Sequence, residues 1–179
     1  MSNTVITKKA LATSLKDLMV EESFEKITIG DICDNCGLNR KTFYYHFPNK
    51  FELMNWIFIS EYTKELQKND AEDLKSFFAV SFRYFYKNRV FYSNALRFEG
   101  QNSLLDFLSE NLKPLILEYI AESFSEREHK AFLADIITDL IILSIKKWLC
   151  SDSDEEQMNA EEFIEFTSKI MDDLDLIVG

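Results

Sequence analysis

Residues 28 to 50 read TIGDICDNCGLNRKTFYYHFPNK, and the punctuation of this stretch decides the fold. Thr28 followed three residues later by Asp31 is a capping box, so a helix is expected over residues 29–36. Gly37 stands just past its end, where the chain needs the left-handed conformation that glycine adopts without strain. Asn39 can cap a further helix over residues 40–47, which Pro48 stops. Asn49 with Glu52 then opens another, over about residues 50–67. Two short helices joined by the turn Gly37–Leu38–Asn39 form a helix-turn-helix candidate, with residues 40–47 as its recognition helix.

Working outward, Ile6, Leu11, Leu15, Leu18 and Met19 recur at helical spacing, so residues 5–21 read as the amphipathic helix that packs this pair. Phe24 and Ile27 are expected to tuck under as the chain turns. Downstream, helices are expected over 72–88, 89–100 and 103–124, the last bent or broken at Pro114. Two more follow, at 127–149 and about 155–177, separated by the polar SDSDEEQ. With 46% hydrophobic residues, 16 Phe and only 4 Gly and 2 Pro, the chain reads as an all-α globule. The expected architecture is a three-helix head over residues 1–50 on a helical bundle over 51–179 that dimerises.

The dimer follows from residues 131–149, AFLADIITDLIILSIKKWL. At about 100° per residue, Asp135, Thr138, Asp139 and Lys146 share one narrow stripe and nearly all else is apolar. Such a helix buries two sides, and the simplest second partner is its own copy across a two-fold axis; the alternative is a central helix of a single bundle. Asp135 and Asp139 also make this segment too polar to span a bilayer. No signal peptide is legible in MSNTVITKKA, and three Cys is an odd count for a disulfide framework, so a cytoplasmic protein is expected. The net charge of −11 is unevenly spread: residues 1–50 carry +1 and the remainder −12. A head of this kind can meet phosphates while the body repels them.

Cys33 and Cys36 raise the question of a metal or thiol site. A structural zinc takes four ligands, usually as two pairs. The remaining Cys150, His46 and His129 supply no second pair, so no metal is expected. A redox Cys-x-x-Cys belongs at a strand-to-helix junction, which is absent. The cysteines are therefore read as small buried hydrophobes, with a thiol sensor as the alternative. No phosphate loop or nucleophile–base signature is present, and neither enzyme activity nor a cofactor is expected.

On the recognition helix, Phe43 and Phe47 at i, i+4 face inward. The other side then shows Lys41 and Tyr45, flanked by Arg40, Thr42, Tyr44 and His46. Burying Tyr44 and Tyr45 as well is more than one short helix can do. Arg is the usual bidentate reader of guanine, and Thr can touch the thymine methyl. Lys, Tyr and His supply phosphate contacts that fix register. Lys50 stands at the start of the fourth helix, where the dipole and free amides favour a phosphate.

From about Thr4 to Trp56 the sequence resembles the TetR family of bacterial one-component regulators, through SFEKITI and ITIGDICDNCGLNRKTFYYHFPNKFELM. The resemblance implies that Thr28, Arg40, Lys41, Thr42, Tyr44, Tyr45, His46 and Lys50 touch DNA, and that Gly37, Phe43 and Phe47 are structural. Cys33 and Cys36 stand where the family usually has small residues such as Ala. The segments YFYKNRVFYSNAL and LKPLILEYI are similar to the C-terminal type of regulators related to the dihydroxyacetone-kinase operon activator DhaS. The expected function is a homodimeric repressor on double-stranded DNA with a palindromic operator, responsive to a small-molecule effector. Phe82, Tyr86, Phe91 and Tyr92 are aromatics that could line its pocket, as could ordinary core packing explain them. The DhaS likeness would instead imply an activator working with a partner protein.

Overall fold

A computed structural model describes residues 3–69, 74–123, 129–151 and 158–178, and among these the chain forms nine helices and no strand. The first three make the head: α1 (Asn3–Glu21), α2 (Ile29–Asn35) and α3 (Arg40–His46). Their ends are set by the residues the sequence marked. Thr28 accepts from the Asp31 amide while the Asp31 carboxylate accepts from the Thr28 amide, closing the capping box. Gly37 has φ +68°, and the Gly37 and Leu38 amides donate back to the Asp34 and Cys33 carbonyls at 3.3 and 2.9 Å. That pair of bonds is a Schellman closure, which satisfies carbonyls the helix end would otherwise strand. Asn39 accepts from the Thr42 amide at 2.8 Å and starts α3. Asn49 does the same for Glu52 at 2.9 Å, starting α4 (Lys50–Asn69).

Phe43 and Phe47 are buried, as their spacing requires, and α1 covers the pair with Leu11, Leu15 and Met19. Ser14 on α1 locks the arrangement, donating to the Ile32 carbonyl at 2.7 Å and accepting from Asn35 at 3.2 Å. At 20 residues, α4 is about 30 Å long and carries the chain from head to body. Lys16 of α1 pairs with Glu61 of α4 at 2.9 Å.

The body comprises α5 (Leu74–Lys87), α6 (Arg89–Leu96), α7 (Leu104–Ser123), α8 (Lys130–Leu149) and α9 (Ala160–Val178). α7 and α8 form the most extensive helix pair, and α9 packs on α5. A single hydrophobic cluster runs from Leu11 in the head to Phe163 in α9, with no break between head and body. Residues 127–128 and 152–157, expected to begin α8 and to link it to α9, lie outside the described residues. Among the described residues no helix is long and apolar enough to cross a membrane.

Of the two outcomes expected at Pro114, a break does not occur: Pro114 sits inside one continuous α7. Both Pro114 and Glu110, whose carbonyl loses its usual donor, are exposed, so that carbonyl can turn to water. Along the polar stripe of α8, Asp135 pairs with Lys113 on α7, Thr138 is buried, Asp139 is exposed and Lys146 pairs with Glu99 beyond α6. Solvent also meets apolar residues: Phe132 is 66% exposed and Leu140 60%, with Ile136 and Leu143 beside them at helical spacing. The opposite side, with Ala134, Ile142 and Ile145, is in the core. The two apolar sides expected of this helix are present.

α9 is held by a ring stack. Phe163 lies flat on Trp148 at 4.1 Å and 3° and meets the edge of Phe82 at 4.9 Å. The Trp148 indole N–H donates to the Met158 carbonyl at 2.8 Å. Replacing Phe163 by Ala is expected to cost about 3–5 kcal/mol of stability, measured by urea unfolding; an unchanged midpoint would show that the stack contributes nothing.

Candidate nucleic-acid interface

With both ends of α3 capped and its Phe pair buried, the remaining side chains of that helix have one direction left. Tyr45 is 82% and Tyr44 57% exposed, and Arg40 and Lys41 are exposed with them. Thr42 and His46 are half-buried at the edges of the same surface. The rings are ordered by their neighbours: Tyr44 stands edge-on to Phe43 at 5.8 Å, and Tyr45 edge-on to His46 at 5.0 Å. Thr42 gives its hydroxyl proton to the Asn39 side chain at 3.1 Å, which leaves its methyl group for outward contact. The arrangement brings six of the expected residues onto one helix surface that carries two full positive charges and several hydrogen-bonding groups.

Arg40 does not stand straight out. A methyl group on Gly30 would fall 2.4 Å from its guanidinium, so the absent side chain of Gly30 makes the berth in which Arg40 lies across the start of α2. Thr28 is exposed at that same end, but its hydroxyl is engaged with Asp31, donating to the carboxylate at 2.7 Å. The Thr28 amide and hydroxyl hold the Asp31 carboxyl below the usual carboxylate range, with Arg40 and Lys50 adding to the effect.

Lys50 departs from the expectation. Its ammonium turns under the head and donates to three backbone carbonyls, those of Phe24 at 2.7 Å, Glu25 at 3.0 Å and Ile27 at 2.7 Å. It also sits 4.6 Å above the Phe24 ring. An ammonium has three protons to give, and all three have takers. Burial holds this lysine below the ordinary lysine range, although Glu25 and Asp31 oppose the shift.

Sequence reasoning missed Asn94, on α6. It accepts from the Phe24 amide at 2.8 Å and donates to the Met19 and Glu22 carbonyls at 2.8 and 2.6 Å. A single amide of the body thus holds the turn from α1 to α2. α6 is anchored at its other side by arginines: Arg89 reaches the Leu149 and Ser151 carbonyls, and Arg97 that of Cys150, at 3.1–3.2 Å. These carbonyls lie at the end of α8 and just past it, where positive charge is favoured.

The cysteines pack. Cys33 is buried, and burial, with Cys36 and Asp34 beside it, pushes its thiol up, away from the reactive thiolate. Cys36 is half-buried against the core and donates to the Ile32 carbonyl at 3.1 Å. All three cysteines are free, and among the described residues no cluster of three or more His, Cys, Asp or Glu could hold a metal.

The body holds an apolar cavity between α4, α5, α7 and α8, around Phe58, Phe78, Phe85 and Ile142. None of Phe82, Tyr86, Phe91 and Tyr92 lines it. Tyr86 stacks on Trp148 at 5.7 Å, Phe82 joins the Phe163 cluster, and Phe91 packs edge-on to Tyr92, which is fully buried and bonded to the Tyr84 hydroxyl at 2.6 Å.

Residues 13–56 match the family described as bacterial regulatory proteins, tetR family, and residues 72–173 match the one described as transcriptional regulator C-terminal region. Over 93 residues the chain is 32% identical to the HTH-type dhaKLM operon transcriptional activator DhaS of Lactococcus lactis, a stretch spanning 51% of this chain and half (50%) of that protein. The fold is shared with a TetR transcriptional regulator from Streptococcus agalactiae, with a TM-score of 0.69 at 19% identity over 91% of this chain and 92% of that one. It is shared equally with NalD of Pseudomonas aeruginosa, the secondary repressor of a multidrug efflux pump, at a TM-score of 0.66 and 17% identity over 94% and 96%.

Lys50→Met keeps the apolar stem and removes the three donors. It is expected to lower stability by about 1–2 kcal/mol, the usual value for charged hydrogen bonds reduced for partial exposure, in thermal unfolding. An unchanged melting temperature would show that the three carbonyls do not depend on Lys50.

Proposed function

The chain belongs to the TetR family of bacterial transcriptional regulators, and from that premise we propose that it is a cytoplasmic, ligand-responsive repressor, a homodimer that places its two α3 helices on a palindromic operator. One observation carries the reading: α3 buries Phe43 and Phe47 while Tyr44, Tyr45, Arg40 and Lys41 stay exposed beside them. A helix that leaves two adjacent tyrosines in water has another surface to meet.

In this reading residues 1–50 are the DNA-binding head and 51–179 the effector and dimerisation body. α3 enters the major groove. Arg40 reads guanine and the Thr42 methyl meets thymine. Lys41, Tyr44, Tyr45 and His46 contact phosphates and fix the register. Thr28 borders the duplex at the end of α2. Lys50 acts on binding through the turn it holds. Phe132, Ile136, Leu140 and Leu143 of α8 supply the two-fold contact, joined by Leu115 and Tyr119 of α7, which are also exposed. The heads then sit about one turn of DNA apart.

Effector binding in the body changes the spacing of the heads and so the population competent for DNA. α6 is placed to carry that change, since Arg89 and Arg97 bind the end of α8 and Asn94 binds the turn beside α1. A second reading is favoured by the 32% identity to an activator. It makes the chain an activator that works with a partner protein, and predicts a response to that protein in place of a metabolite.

Selection of bound duplexes from a random pool, with salt titration of the winner, tests the proposal. An enriched palindrome is expected; no enrichment by folded, dimeric protein would sink the repressor reading and leave the partner-dependent one. On the selected site, Arg40→Ala is expected to lose about 1–3 kcal/mol of discrimination between correct and altered bases. Lys41→Ala should weaken all duplexes alike and lower the salt slope by about one unit. If the two variants behaved identically, the assignment of Arg40 as base reader would be wrong.

A further inference from the structure

Gly30 is a glycine that the backbone does not ask for. It is the second residue of the seven-residue α2, and its φ is not positive. Alanine would hold a helix better there. The space beside it is nevertheless filled. A methyl group on Gly30 would stand 3.2 Å from the guanidinium carbon of Arg40, with one guanidinium nitrogen nearer still, and 3.3 Å from the Thr28 hydroxyl oxygen. Gly30 is buried, although Thr28 and Asp31 on either side of it are exposed. The end of the residue 40 side chain thus lies where a residue 30 side chain would begin.

Shape, more than bonding, keeps Arg40 there. Among the described residues no hydrogen bond or ion pair ends on its guanidinium. The start of a helix disfavours a cation. The Asp31 carboxyl, held low by the Thr28 amide and hydroxyl first and by Arg40 after them, supplies the negative charge that offsets this. All five N–H donors of the exposed guanidinium therefore remain unspent, whereas those of Lys50 are all taken. A planar fork of donors faces outward from this corner of the head, and the missing side chain at position 30 sets its direction.

We infer that Gly30 is a specificity-determining position: the room it leaves aims Arg40 from the start of α2 and so fixes which base pair of each half-site the guanidinium reads. A side chain at position 30 lifts the guanidinium away and changes the preference at that base pair alone. The inference rests on the DNA-binding reading of α3, and adds to it a residue with no side chain of its own.

Duplexes are selected from a random pool by the wild-type chain, Gly30→Ala, Arg40→Ala and the double variant, and affinity is measured for the winner and for each single base change. Gly30→Ala should unfold no earlier than the wild type, because its methyl group meets the movable end of a long side chain. It should lose about fivefold or more in preference at one base pair per half-site, the low end of what a bidentate arginine–guanine pair discriminates. That base pair should be the one at which Arg40→Ala loses preference. Affinity for unrelated duplexes and its salt slope should stay as they are, since no charge is removed. Once Arg40 is alanine, changing Gly30 should have no further effect on preference. In the free wild type, NMR should show an NOE between the Arg40 side chain and the Gly30 α-protons, which decides the matter if Gly30→Ala does not fold. The inference alone is overturned if the wild type enriches a site and Gly30→Ala keeps every preference, if the effects of the two substitutions multiply, or if the NOE is absent. A folded wild type that enriches no site ends the site-specific reading of α3 and the inference with it.

Discussion

Phe24 is the residue on which the head's position depends. Its ring is fully buried, edge-on to Phe51 at 5.4 Å and Phe98 at 5.8 Å. Its amide is taken by Asn94 of α6 and its carbonyl by Lys50 of α4. A turn buried against a core must settle every backbone donor and acceptor it carries, and here the partners come from two different helices of the remaining chain. α1 and α2 therefore leave and enter this turn at an angle fixed by α4 and α6. Ser14 then ties α2 to α1, and the buried Phe43 and Phe47 tie α3 to both. The exposed surface of α3 takes its orientation from this turn by way of α1 and α2.

Much of this was legible in the sequence because it is local. The caps at Thr28, Asn39 and Asn49 and the glycine at 37 act within three or four residues, so their residue types suffice to place them. The inward Phe43–Phe47 pair follows from helical period alone, and with it the exposure of Tyr44 and Tyr45. What escaped depends on residues distant in sequence. Asn94 reaches partners more than 70 residues earlier, and an isolated asparagine in a helical pattern carries no sign of that. Lys50 was placed by the charge preference of a helix start, whereas its length and the three carbonyls beneath it decide where the ammonium goes. The stripe of α8 follows from helical period, whereas its partners Lys113 and Glu99 lie on other parts of the chain, which period does not reach. The cavity is a gap among four helices, and periodicity describes each helix without describing the gap.

Charge orders the approach of a polyanion to such a molecule. Residues 51–179 hold an excess of 12 negative charges and residues 1–50 a balance of +1, so the body as a whole repels a polyanion and the head does not. The small positive charge of the head is enough because it is read against that background. Arg40 and Lys41 are exposed on the head, while Lys50, a third positive charge nearby in sequence, is committed to holding the turn.

The unbroken core from Leu11 to Phe163 has a consequence for modularity. Residue 50 looks like a natural seam, because α4 begins there, but the bonds at Phe24 and the Lys16–Glu61 pair are sewn across it. A head transplanted onto another regulator's body would bring Phe24 without the Asn94, Phe51 and Phe98 that receive it. On the outer face of α3, Tyr44 and Tyr45 can change without disturbing the core, whereas Arg40 is held in its berth at Gly30. Whole heads can be exchanged only when the residues that receive Phe24 change in step, so that face is free to vary one side chain at a time while the joint stays fixed.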